Sequence, residues 1–496
     1  MYDVIIVGAG VIGCAIAREL ARTNLQIAVV DRCSDVSEGT SKANSGIVHA
    51  GFDATPGSLK VLYNVRGNPL VRQWAEELHV AYRNNTSLVL AFSEADLPGL
   101  QALAARGRQN GVTGLQLLSG DEALRREKAI NPQTVGALLA ETGGIVSPYG
   151  LTIALAEHAF VNGVEFLLDC EVQAIHTVRR QCILENSGTR QVAVNSDNRF
   201  ALTTSRGVLE TRAIVNAAGV FADWINNAIS EDQFTITARR GEYWMLDKRV
   251  GAQFNATIFQ LPTSRGKGVL VTPTVEQTLI IGPTSEDVED KTDTRTTAAK
   301  LDEIRRVAAR TWPGLPRDQF ITSFAGLRAH CDRGDFIIGR SKDIPGLYNA
   351  AGIESPGLTA APAIALDIAA MVASDFEASV RNDFCLPPPP IPVFHGEDLE
   401  VLAERIARDP QAGRIVCRCE QVSEAEIRAS IRRPLGARTL DGVKRRTRAN
   451  MGRCQGSFCT PRVLEILAEE LNLDETAVTK FGGQSKILTG HLEEKP

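Results

Sequence analysis

The chain carries no excess of positive charge, no long apolar run and no disulfide framework, and each absence removes a class of function. Its 496 residues sum to a net charge of −5, without the basic footprint that nucleic-acid binding needs. No stretch reaches the roughly 18 consecutive apolar residues of a membrane span, so membrane association is expected only peripherally, through a partner. The apolar start, MYDVIIVGAGVIGCAI (1–16), lacks a basic leader region and reads as strand, turn and helix, which argues against a signal peptide. Ten cysteines are too scattered for a disulfide scaffold. Cys14, Cys33, Cys170, Cys182, Cys331 and Cys385 stand apart, and such thiols beside a metal-type cluster of the remaining four point to a reducing, cytoplasmic compartment.

The length suits two or three domains with a large core. Hydrophobic content of 44% and charged content of 23% are ordinary for a globular protein. The run PPPPIPVFHGED begins at Pro387 and predicts an extended, stiff spacer. With no internal repeat, it is the one clear break, setting a body (1–384) and a linker (385–397) apart from a C-terminal module (398–496). Within the body, strand-like runs such as VIIVG (4–8), QIAVVD (26–31), AIVNAAG (213–219) and GLYNAAG (346–352) alternate with helical patterns, as in α/β folds. Residues 234–283 carry several β-type runs and no long helix, which predicts an antiparallel sheet. A helix is expected over 296–311, ending before Trp312-Pro313.

Gly8, Gly10 and Gly13 form G-x-G-x-x-G between an apolar strand and a helix. The first glycine allows the tight turn, the second lets the backbone approach a pyrophosphate, and the third permits close helix–strand packing. Asp31, 18 residues after Gly13, stands where a carboxylate binds ribose hydroxyls. A dinucleotide site follows. The loop TSKANSGIVHAG (40–51), holding Thr40, Ser41, Asn44, Ser45 and Gly46, is small and polar enough to run along a long cofactor. Later, NAAGIESPGLTAAPAIALDIAA opens a helix near Pro356, whose N-terminus can stabilise negative charge on a flavin ring.

These motifs, in this order, resemble the glutathione-reductase-like FAD family, and more closely its D-amino-acid-oxidase-like branch. The resemblance implies an α/β fold: a Rossmann-like FAD-binding domain (about 1–80, 140–225 and 325–384) with a β-rich substrate-binding domain (about 81–139 and 226–324). It also implies cofactor contacts at Arg32, Val172, Asn216, Ala217, Gly219, Gly352, Gly357, Leu358 and Thr359.

Cys417 and Cys419 form C-x-C, and after a gap of 34 residues Cys454 and Cys459 form C-x4-C. Soft thiolates in two close pairs suit an iron–sulfur cluster, with zinc as the alternative. The surrounding K-R-R-T-R-x-x-M-G-x-C-Q-G run resembles the bacterioferritin-associated-ferredoxin-like [2Fe–2S] domain, a small α-helical module with its core at about 413–470. Lys444, Arg445, Arg446 and Arg448 form a basic run beside the second pair. It reads as a cationic field favouring the reduced cluster, as a dock for an acidic partner, or as a solvated face.

Over its whole length the chain resembles the FAD-bearing A subunits of anaerobic glycerol-3-phosphate dehydrogenases and their near relatives. That implies oxidation of a small anionic secondary alcohol by hydride transfer to flavin, with electrons relayed through the cluster to a second subunit or another acceptor. The motifs of 40–60 are shared with L-2-hydroxyglutarate oxidases, so a 2-hydroxy acid stays open as substrate. An amine or amino acid of the same branch and an electron-transfer adaptor are the further alternatives. Arg328, Arg265 and Lys267 are the candidates for holding the anion. His49 and His330 are the candidates for the base, because imidazole ordinarily titrates near neutrality.

Overall fold

The computed structural model describes residues 1–178, 181–186, 189–194, 199–262, 268–394 and 396–490. Apolar runs fold first into an eight-stranded sheet. Strand β1 (Tyr2–Val7) leads through the glycine turn into helix α1 (Val11–Leu20) and on to β2 (Ile27–Val30). β1 pairs in parallel with β2 on one side and with β3 (Gly207–Asn216) on the other. Val4, Ile5 and Ile6 are wholly buried, as an unbroken apolar run in a parallel sheet requires. Leu347–Ala351 adds in parallel to β3.

Helices α1, α2 (Leu59–Glu77) and α3 (Gly357–Asp375) pack together over this sheet. A Cβ on Gly67 of α2 would lie 2.0 Å from Thr359 O of α3, so only glycine permits the approach. α3 is long and apolar enough to cross a membrane by length and composition. Here its Ala and Ile face is buried with α1 in the body's largest core, the place of a central helix in a packed domain.

A nine-stranded sheet forms the second layer. β4 (Ile236–Leu246) and β5 (Phe320–Cys331) run antiparallel, with Arg239 opposite Arg328 and Thr237 opposite His330. The expected antiparallel runs of 234–283 are present. One strand, Thr257–Gln260, also pairs in parallel with Ser87–Ala91, which joins an early segment of the chain to a late one. The helix expected over 296–311 spans Ala298–Thr311, capped by Thr297.

Residues 385–393 have no regular structure, as the prolines predict, yet they do not swing free. The Cys385 amide donates to Asn162 Oδ1 at 2.6 Å and an Arg433 guanidinium N–H donates to Pro389 O. Beyond them lies a mainly helical module with its own core, built around Ile427, Val443, Val463 and Ile466 and including Cys417 and Cys459. Its helix α4 (Leu440–Thr447) carries Lys444, Arg445 and Arg446, and Arg448 caps its C-terminus.

The structure corrects the reading of that run as a solvated face or an external dock. Arg446 donates to both oxygens of Asp35 at 2.6 and 2.9 Å, and Arg445 pairs with Asp35 and Glu38. Arg448 pairs with Glu420 and reaches Glu276 of the body. The acidic partner is therefore the chain's own body. Burial raises the Asp35 carboxyl, but the Arg446 and Arg445 guanidiniums outweigh it and hold it below its ordinary value. A depressed folded pKa stabilises fully above the unfolded value near 3.9 and loses that contribution as the pH falls through the folded one. Asp35→Asn, which strands a buried guanidinium, should cost about 3–5 kcal/mol in denaturant unfolding of the full chain and flatten the acid limb of stability below about pH 4. Unchanged unfolding would place little weight on this pair.

Candidate active site

β1 delivers the chain to Gly8, whose φ of +110° and lack of a Cβ let it lie against Ala217 O, 2.4 Å from where a Cβ would stand. A Cβ on Gly13 would meet Gly8 O at 1.9 Å, so this glycine seats α1 on the turn. Gly10 differs: its nearest neighbour is Ser41 Oγ at 3.3 Å, and its bare side faces a cavity. Ser41 Oγ accepts from Val11 N at 2.9 Å, satisfying one amide of the helix N-terminus while the helix dipole favours an anion in front of it.

Asp31 takes the amides of Ala9 at 2.7 Å and Cys33 at 2.9 Å, one on each oxygen. Each oxygen keeps a lone pair for a hydroxyl donor. Burial pushes this carboxyl above its ordinary value, and the two amides pull against it. The neighbouring Arg32 guanidinium lies over the Phe221 ring at 4.3 Å. The loop after it is held by its own polar groups. The Thr40 hydroxyl donates to Leu327 O, Asn44 Nδ2 donates to Thr40 O and Ser41 O, and Gly46 N donates to Asn44 Oδ1.

The cavity measures about 2230 Å³, well beyond the roughly 300–1,000 Å³ of an ordinary ligand pocket, and so has room for a dinucleotide together with a substrate. Of the residues expected at the cofactor, Gly8, Gly10, Asp31, Arg32, Thr40, Ser41, Asn44, Ser45, Gly46, Val172, Ala217, Gly219, Pro356, Gly357 and Leu358 line it. Gly13, Asn216, Gly352 and Thr359 do not, and their contacts give the reason. Asn216 Nδ2 donates to Ala222 O and Asn349 Oδ1, Gly352 packs on Cys331, and Thr359 Oγ1 accepts from His49 N. They hold the scaffold.

At the far end, β5 presents Arg328 to the cavity. Its guanidinium donates to Thr284 O at 2.8 Å and more distantly to Arg239 O, and among the described residues it has no carboxylate partner. Arg239 across the ladder is satisfied by both oxygens of Asp287. Two arginines directly opposite on adjacent strands repel, and one carboxylate leaves a positive charge uncompensated. Tyr243 and Phe324 stack beside them, ring centroids 4.9 Å apart.

His49 also lines the cavity, with Nε2 3.2 Å from Ser355 Oγ. Ser355 escapes a sequence reading because it lies 306 positions away; its one signal is its place just before Pro356, at the mouth of α3. His330 is not on the cavity wall. Its Nδ1 lies 3.2 Å from Glu354 Oε1, which also takes Lys60 Nζ at 2.9 Å. Burial raises Glu354, but Lys60 and His330 more than offset it and leave the carboxyl below its ordinary value. Arg265 and Lys267 lie outside the described residues.

In the module the four thiols meet two by two. Cys417 interacts with Cys459 and Cys419 with Cys454, and the Cys459 thiol donates to Asn450 Oδ1 at 2.8 Å. Among the described residues no three His, Cys, Asp or Glu side chains converge on one point, whereas a two-iron cluster takes two thiolates at each iron. The Cys459 contact, with the amides of Asn450 and Glu420, lowers the Cys417 thiol against the opposing effect of burial, and the same contact raises Cys459. Gly452 permits the approach of the second pair, since a Cβ there would stand 2.2 Å from Cys419 Cβ. Cys417 and Cys459 are buried, and Cys419 and Cys454 are half-buried.

Comparison with known proteins agrees with both halves of this geometry. Residues 3–371 match the FAD dependent oxidoreductase family and residues 415–469 the BFD-like [2Fe-2S] binding domain. A glycerol 3-phosphate dehydrogenase of Caloramator mitchellensis is 45% identical over 99% of this chain and 98% of its own. A mitochondrial L-2-hydroxyglutarate dehydrogenase of Arabidopsis thaliana is 30% identical over 74% of this chain and 82% of its own. Among solved structures, the dithionite-reduced L-α-glycerophosphate oxidase of Mycoplasma pneumoniae with FAD bound superposes with a TM-score of 0.71 at 30% identity, covering 77% of this chain and 97% of that one. With its glycine turn, its cavity and its paired thiols, the chain belongs to the FAD-dependent oxidoreductases and carries a BFD-like [2Fe–2S] domain.

Proposed function

We propose that this enzyme oxidises sn-glycerol 3-phosphate to dihydroxyacetone phosphate and passes the electrons to a partner subunit or another acceptor. The observation that carries the reading is Arg328, a guanidinium on the cavity wall without a carboxylate among the described residues and opposite a second arginine. A phosphate monoester would answer the uncompensated charge and fit a bidentate donor. The glycerol 3-phosphate dehydrogenase of Caloramator mitchellensis and the glycerophosphate oxidase of Mycoplasma pneumoniae support that choice of anion. A 2-hydroxy acid is the second reading, since a carboxylate engages the same guanidinium and the Arabidopsis relative acts on L-2-hydroxyglutarate.

When bound, FAD supplies the hydride acceptor and the [2Fe–2S] cluster a one-electron carrier. The chain's own residues do the rest. Gly8, Gly10 and the N-terminus of α1 receive the diphosphate, and Asp31 receives ribose hydroxyls. Arg328 anchors the substrate's anionic end, so that its carbinol stands at a fixed height in the cavity. His49 Nε2, which faces Ser355 Oγ at 3.2 Å, accepts the hydroxyl proton once the substrate's carbinol takes the place of Ser355 Oγ at that nitrogen. His330 holds Glu354 instead and acts on orientation. Cys417, Cys419, Cys454 and Cys459 hold the cluster. Thiolates that must stay reduced to bind iron fit a cytoplasmic setting.

Arg328→Ala should raise KM for glycerol 3-phosphate by about 10- to 100-fold, the loss of one charge-assisted anchor, and lower kcat where the anchor also aligns the carbinol. Unaltered steady-state kinetics in a folded variant would shift the anion site to Arg265 and Lys267. Cys454→Ser should abolish the two irons and two labile sulfides expected per cluster (about two of each) while substrate still bleaches the flavin anaerobically. One zinc and no labile sulfide in the parent enzyme would contradict the relay.

A further inference from the structure

One charged group of the module, Lys444, lines the cavity without an ion-pair partner among the described residues. Lys444 lies on α4 next to Arg445 and Arg446, whose buried pairs with Asp35 and Glu38 clamp that helix onto the loop following Asp31. It lines the same cavity as Gly10 and Ser41, and no ion pair joins it among the described residues. The nearby carboxylates are already taken. Asp35 is held by two arginines, Glu38 by Lys42 and Arg445, and Asp441 by Lys480 at 3.2 Å. Five cations (Lys42, Lys444, Arg445, Arg446, Lys480) thus meet three carboxylates (Asp35, Glu38, Asp441), an excess of two positive charges in this cluster, of which Lys42, Lys444 and Arg445 line the cavity.

We propose that Lys444 is a cofactor-binding residue whose ammonium faces the diphosphate of FAD, so that the [2Fe–2S] module is part of the FAD site. A half-buried ammonium among other cations is unfavourable unless an anion compensates it. Burial holds Lys444 below its ordinary pKa; Asp441 opposes it more than any one of the cations Lys480, Arg445 and Lys42 adds to it. A diphosphate diester brings two negative charges, which match the excess. The N-terminus of α1 at Gly10 and Val11 supplies favourable dipoles from the other side. The body thereby holds the module through arginines, the module holds the cofactor through lysine, and the two associations reinforce each other.

This proposal rests on the FAD reading of the cavity, and the experiment separates the two. Full-length protein, its Lys444→Met, Lys444→Gln and Lys444→Arg variants, are stripped of flavin and titrated with FAD by fluorescence quenching. Iron content and melting temperature report that the module stays folded. The Met and Gln variants should bind FAD about tenfold more weakly, as expected for one lost charge-assisted contact, and the Arg variant should return to within about threefold of the parent. The parent's Kd should also rise more steeply with salt than that of the Met variant. Parental affinity and salt dependence in folded Met and Gln variants would overturn the proposal. Failure of the parent to bind FAD would overturn the cofactor reading itself.

Discussion

Asp35 is a buried carboxylate held by two arginines some 410 positions along the chain, and the arrangement of the two cofactor sites depends on it. Burying three charged side chains is costly, and the pairing offsets that cost because the Arg446 fork reaches both carboxylate oxygens while Arg445 adds a contact to Oδ2. The gain is geometric. Asp35 lies four residues beyond Asp31, so clamping this loop fixes the ribose end of the nucleotide site and the helix beside the cluster cysteines at once. The Pro-rich segment, tied down through Cys385 and Pro389, is then a strap across a fixed joint. A flavin and a one-electron carrier that must exchange electrons need such a constant separation.

The cavity is electropositive both where it meets the nucleotide turn and where it meets the strand ladder. One end offers helix dipoles and amides; the other offers arginines across a strand ladder. Arg240, on the opposite face of β4 from Arg239, is fully neutralised by Glu286, Asp293 and Glu242, which makes the open charge at Arg328 more telling. The fold can pair its arginines where structure asks for it. Leaving one unpaired at a cavity wall has an energetic penalty that a bound anion removes. The same reasoning applies to Lys444 at the nucleotide end.

What was legible in the sequence follows from how local each determinant is. The turn from β1 through Gly8, Gly10 and Gly13 to α1, with Asp31 closing β2, is specified within about thirty residues by periodicity and glycine placement, and it folds as read. The helix expected over 296–311 announces itself through its apolar spacing and the proline that follows, and it spans Ala298–Thr311. Pairings across the chain were not legible. Ser355 meets His49 only once α3 is laid against the loop after β2, and Arg239 faces Arg328 only in the register of two strands. The basic run shows why charge patterning misleads: four cations in a row suggest a solvated face, yet tertiary contacts bury two of them against acids that sequence alone gives no reason to connect. Asn216 and Gly352 are expected at the cofactor from the family resemblance, but they do not line the cavity, and their hydrogen bonding and packing hold the scaffold.

The identity of the alcohol that delivers its electrons to the flavin decides the function most directly. Holoenzyme held anaerobically and mixed with glycerol 3-phosphate, L-2-hydroxyglutarate or an amino acid, one at a time, reads this through bleaching of the flavin absorbance. Rapid bleaching by glycerol 3-phosphate, followed by loss of the cluster's visible absorbance, is the predicted result. Bleaching by L-2-hydroxyglutarate or an amino acid, with glycerol 3-phosphate inert, would contradict it.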